Sequence, residues 1–98
     1  GLLEIVNGSI SMNDLATTRI FESETNFYHG HSWCKENIGV SSSSKTAWMI
    51  DPFGIPKSQF QLLHNMGFRN LVLNRIPFNQ KDERKEQKRL TFWAADPL

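Results

Sequence analysis

Thr46-Ala47-Trp48-Met49-Ile50-Asp51-Pro52-Phe53-Gly54-Ile55-Pro56 decides how this chain is read. Thr46 to Ile50 is largely apolar and shows no helical period, so it predicts a short buried strand. Asp51-Pro52 ends that strand. Proline lacks the N–H that a ladder needs, and Gly54 and Pro56 break a helix equally well. Downstream, Ser58 and Gln61 stand at capping-box spacing. They predict a short helix carrying Phe60, Leu62, Leu63 and Met66, closed by Gly67 as the residue past its C-cap. Leu71-Val72-Leu73 predicts the next strand, within residues 70–75. Upstream, Leu2 to Val6 reads as an earlier strand, followed by turn chemistry at Asn7-Gly8-Ser9. Asp14 is a candidate N-cap for a long helix ending near Ile38 and Gly39. Ala16, Ile20, Phe27, Cys34 and Ile38 fall on one stripe of that helix. Ser41 to Ser44 is a polar loop, residues 79–89 are a solvated helix or loop, and Leu90 to Trp93 is a candidate fourth strand. Alternating strands and helices predict an α/β fold of parallel strands with helical crossovers. In such sheets function sits at the carboxyl ends of the strands, where Asp51 and Arg75 fall.

Composition narrows the alternatives. The chain has 98 residues, 39% of them apolar, and a net charge of +1. That is one modest core, with no bulk attraction to nucleic acid or to an anionic membrane surface. Lys81 to Arg89 mixes basic and acidic residues, the pattern of a solvated face and not of a nucleic-acid footprint. No apolar run has the length of a membrane span. One cysteine, Cys34, excludes an internal disulfide. Gly1 leads directly into an apolar stretch, so the expectation is a segment truncated at both ends from a larger domain.

Asp51 is the leading chemical candidate. A carboxylate followed by proline at the mouth of a parallel sheet is rigidly aimed, as a glycosidase nucleophile must be. The competing reading is a turn-forming aspartate, which needs no function. His29, His31 and Cys34 suggest metal ligands by type, but on a helix the two histidines point about 160° apart. His64 is expected to face solvent. Trp33, Trp48 and Trp93 are expected in the core, with Trp48, close to Asp51, the one candidate for a sugar platform.

Trp48-Met49-Ile50-Asp51-Pro52-Phe53-Gly54 resembles the signature loop of glycoside hydrolase family 38, the zinc-dependent retaining α-mannosidases. The run from Gly30 to Val40 is similar to the helix before that loop. Gly1 to Val6, Met12-Asn13-Asp14, Leu62-Leu63, Met66-Gly67-Phe68 and Asn74-Arg75-Ile76 continue the resemblance in register. It implies that residues 1–98 form part of the N-terminal catalytic domain, within a larger (β/α) barrel-like fold. It implies that Asp51 is the nucleophile and one ligand of a Zn2+ ion, and that Arg75 contacts nucleophile and substrate. The remaining zinc ligands and the general acid would lie outside this chain. The implied substrate is a mannose-containing glycan, an N-glycan in particular. The implied compartment is the Golgi lumen or another secretory or lysosomal space.

The sequence also departs from the family pattern. Ile55-Pro56 stand where His-Ser is usual, Leu15 where Glu is usual, Gly8-Ser9 for a Gly-Gly doublet, Ile10 for an aromatic, and Pro77-Phe78 for His-Tyr. These changes keep a second reading open: a degenerate, non-catalytic relative or gene piece acting as a binding module.

Overall fold

The computed structural model describes residues 2–39 and 44–93. The order is α1 (Ile20–Asn37), β1 (Thr46–Met49), α2 (Lys57–Asn65), β2 (Asn70–Leu73) and α3 (Phe78–Glu86). β1 and β2 pair in parallel, with Thr46 opposite Asn70 and Met49 opposite Leu73. The parallel strand–helix–strand expected across the deciding stretch is therefore present.

Alternation along β1 builds the core. Ala47 and Met49 are 0% and 1% exposed and meet Phe27 of α1, Leu63 of α2, Leu15 and Phe68. Leu71 and Leu73 of β2 lean on the same cluster. Trp48 lies between the two buried residues of β1 and so takes the opposite face of the sheet, where it is 41% exposed. The expectation that the tryptophans are core residues is thus overturned: Trp33 and Trp93 are exposed as well.

Both α2 and α3 end in the same way. Phe68 N–H bonds back to Leu63 O and Gly67 N–H to His64 O, with Gly67 at φ +96°. Arg89 N–H to Arg84 O and Lys88 N–H to Lys85 O repeat the pattern. These are paired backbone bonds that satisfy the last carbonyls of a helix. Gly67 fills the role its sequence position predicts. The start of α2 differs: Pro56 is the N-cap and Ser58 makes no cap bond.

Four further expectations are corrected. α1 begins at Ile20, not after Asp14. Residues 15–17 form a separate turn that drives Leu15 into the core, and the chain re-enters extended at Arg19 (φ −73°, ψ 156°). Glu22 then accepts Arg19 N–H at 2.8 Å and starts the helix. The predicted stripe on α1 has the right azimuth, but only its middle is covered. Ser23, Phe27 and Gly30 are buried, whereas Ile20 and Ile38 overhang the core at either end.

Leu2 to Val6 is not a strand, and Leu2 and Leu3 are fully exposed. Asn7 N–H bonds to Thr46 O at the free edge of β1, but the Asn7 side chain, not a backbone carbonyl, takes the next slot at Trp48 N–H. Residues 90–93 are not a strand either; Phe92 lies under the Arg84 guanidinium at 4.1 Å. The loop residues 41–43 fall outside the described residues.

Candidate active site

The C-terminal ends of the two strands form one edge. The ladder continues one step past β1, where Arg75 N–H donates to Ile50 O at 3.0 Å. That bond fixes Arg75 beside the first residue free to leave the sheet, Asp51. Arg75 Nε donates to Asp51 Oδ1 at 2.5 Å. Both side chains are 52% exposed, so the pair is open to a ligand. Among the described residues only Oδ1 of Asp51 is engaged. The two residues singled out in the sequence are thus brought together on one side of the sheet.

The loop after Asp51 is held from two directions. Pro52 is buried. Phe53 N–H donates to Asp14 Oδ1 at 3.0 Å, and the Phe53 ring lies 4.7 Å beneath the Arg75 guanidinium. Asp14, Asp51, Pro52 and Phe53 line a small cavity of about 130 Å³ together with Asn13 and Met49. Asp14 is the residue whose place here the sequence did not show, since its spacing points to a helix cap. The Phe53 amide aimed at its carboxyl holds Asp14 below the ordinary carboxylate range. Partial burial opposes that shift, and the Thr17 side chain with the Ala16 and Thr17 amides adds to it. An aspartate held ionised in this way is unsuited to be a general acid, which needs a raised pKa.

Three of the residues that depart from the resembled pattern have places in the fold. Ile55 packs against the core, and Pro56 supplies the extended N-cap of α2. Pro77 does the same for α3.

Of the remaining candidates, His31 has a structural place. His31 bonds through Nε2 to Asn7 O at 2.9 Å and packs against Phe27 and Phe68. His29 and His64 are exposed, and Cys34 is free. Among the described residues no three His, Cys, Asp or Glu side chains come together as a metal site. A second, much larger groove of about 1100 Å³ runs between residues 5–12, α1 and Trp48, with Tyr28, Trp33 and Trp48 on its walls. Among the described residues no helix is long and apolar enough to cross a membrane.

The chain belongs to glycosyl hydrolase family 38, whose N-terminal domain matches residues 1–96. It is 38% identical to alpha-mannosidase 2 of Rattus norvegicus over 93 residues, 95% of this chain and 8% of that protein. Against alpha-mannosidase 2 of Arabidopsis thaliana the identity is 36% over 92 residues, 94% of this chain and 8% of that protein. Against the lysosomal alpha-mannosidase of Dictyostelium discoideum it is 35% over 96 residues, 97% of this chain and 9% of that protein. The chain thus spans less than a tenth of the length of these relatives.

Proposed function

We propose that this chain is the nucleophile-bearing portion of a retaining α-mannosidase acting on mannose-containing glycans, N-glycans in particular. The observation that carries the reading is the Asp51–Arg75 pair, open at the carboxyl ends of adjacent parallel strands. Asp51 Oδ2 attacks the anomeric carbon of a mannosyl residue while Arg75 holds Oδ1 and fixes the attacking face. The C1–O bond to the leaving group breaks, and the leaving oxygen takes a proton from a second carboxyl. Water, giving a proton to that second carboxylate, then attacks C1 from the opposite side, frees Asp51 and returns the original anomeric configuration. Asp14 is committed to Phe53 and its pKa is lowered, so it is not that second carboxyl, which on this reading comes from the rest of the catalytic domain.

Asp51 would also ligate the family's Zn2+; among the described residues no three His, Cys, Asp or Glu side chains gather into a complete metal site. Exposure of Trp48 on the second face of the sheet supports a larger (β/α) barrel around it. Parallel strands are buried on both faces in α/β proteins, yet Trp48, opposite the core face of β1, is 41% exposed. A secretory or lysosomal compartment follows by analogy with relatives that include the lysosomal alpha-mannosidases of Dictyostelium discoideum and Mus musculus.

The test is turnover of an activated aryl α-mannoside. In the complete polypeptide, Asp51→Asn should abolish it while leaving the fold intact. The 98-residue chain alone should show none. Undiminished turnover in Asp51→Asn, or turnover by the isolated chain, contradicts the proposal.

A further inference from the structure

Asp14 lies far from Asp51 in sequence, and its carboxylate ends on the backbone of the Asp51 loop. Its Oδ1 accepts Phe53 N–H at 3.0 Å. The preceding residue, Asn13, is anchored to α1. Its Nδ2 donates to Ser23 Oγ at 3.0 Å and its Oδ1 accepts from Asn26 Nδ2, also at 3.0 Å. Asn26 is tied in turn to the turn before it, donating to Ser11 O at 2.8 Å. The next contact is steric: a Cβ on Gly54 would stand 3.2 Å from Ala16 Cβ. A continuous path of hydrogen bonds therefore runs from α1 through Asn13 and Asp14 to Phe53.

On its other side, Phe53 carries the Arg75 guanidinium on its ring, and that guanidinium pairs with Asp51. The loop has two handles. Arg75 takes the ring and the reactive carboxylate, and Asp14 takes the amide between them and Gly54. A charged acceptor on a backbone N–H makes a stronger bond than a neutral one, and it fixes the peptide plane that the side chain does not.

We infer that Asp14 is a positioning residue for Asp51, acting through the Phe53 amide and not by contact with substrate. This rests on the reading of Asp51 as the reacting carboxylate. Losing the anchor lets the loop shift, and a displacement of about 1 Å at a reacting group can cost about 100-fold in rate.

The experiment compares Asp14→Ala, Asp14→Asn and Asp51→Asn in the complete polypeptide. Three readouts are needed: kcat and KM on an aryl α-mannoside, Tm, and hydrogen exchange of the peptide containing Phe53. Asp14→Ala is expected to lower kcat by about 10- to 100-fold with KM little changed, and to speed exchange at Phe53. Asparagine retains an acceptor oxygen at the same place, so Asp14→Asn should recover most of kcat and of the protection. If Asp51→Asn is inactive but Asp14→Ala keeps kcat within about twofold, the inference falls and the site stands. If Asp51→Asn stays active, the site reading falls, and Phe53 exchange still reports whether Asp14 holds the loop. Unchanged exchange in Asp14→Ala overturns the inference whatever the kinetics show. A kcat loss that asparagine does not recover, tracking a fall in Tm, also overturns it and assigns Asp14 to folding alone.

Discussion

At the N-terminal end of β1, Asn7 is buried at φ 61° and spends every polar group on the fold. Its N–H bonds to Thr46 O, its side-chain oxygen accepts Trp48 N–H, and its own carbonyl meets His31. At the C-terminal end, Asp51 and Arg75 are half exposed, and one carboxylate oxygen has no partner among the described residues. The first arrangement closes on itself. The second is held in place and remains open. The difference separates residues that maintain the fold from residues available for chemistry, although both sets are polar and both sit at strand ends. The turn at Asn7-Gly8-Ser9 belongs to the first arrangement: the Asn7 amide nitrogen bonds to Ser9 Oγ inside that closed network.

Breaking the closed end should cost most. A Cβ at position 30 would lie 2.2 Å from Gly8 O and 2.6 Å from Ser9 C, both backbone atoms that cannot rotate away. Gly30→Ala should therefore lose about 3 kcal/mol or more, read by urea denaturation. A loss below about 1 kcal/mol would show that α1 and the 7–11 turn are not locked together.

Asn7→Ala should follow at about 2–3 kcal/mol, from an orphaned Trp48 N–H and a left-handed backbone without its preferred residue. Asn7→Gly relieves the backbone and should recover part of that loss. Equal losses in the two variants would assign the whole effect to the side chain.

Much of this architecture was legible in the sequence. The stretch from Thr46 to Pro56 dictates a strand that must stop at Asp51, and Gly67 must end the helix that follows. Their spacing brings Arg75 to the same edge. Asp14 was not legible, because an aspartate before a helical pattern satisfies the rule for a cap. Its real acceptor role faces Phe53, and no local period reports so distant a partner. Leu2 to Val6 misled for a related reason. Apolar, β-branched residues fit a strand, but strand formation needs a partner edge, and Asn7 closes that edge with its side chain. Trp48 is exposed because the burial of a strand residue depends on which face of the sheet is covered.

Smaller effects should come from the interior between the two ends. Gln59 is buried with Oε1 unpaired among the described residues, while its Nε2 makes only long contacts to Thr18 O and Ser23 Oγ. Gln59→Met should be neutral or stabilising by up to about 1 kcal/mol, seen as an unchanged or raised Tm. A clear loss would show that Gln59 is a bonded strut between α2 and α1.

At the open end, Arg75→Ala should move stability by no more than about 0.5 kcal/mol, since an exposed ion pair contributes little. Asp14 adds a pH signature of known sign. Its folded pKa is lowered chiefly by the Phe53 amide, so its contribution is present above the ordinary carboxylate range. That contribution is lost as pH falls through the lower, folded value. Acid titration of stability should show this loss in the parent chain and not in Asp14→Asn. The same slope in both would remove Asp14 from the acid transition.

The central claim is that Asp51 is a nucleophile, and covalent trapping tests it most directly. A fluorinated α-mannosyl substrate with a good leaving group forms its glycosyl-enzyme faster than water clears it. The complete polypeptide, treated in this way and digested, should yield one peptide heavier by the fluorosugar, with the label on Asp51 by fragmentation. Label on another carboxylate, or inactivation without any covalent label, would contradict the account.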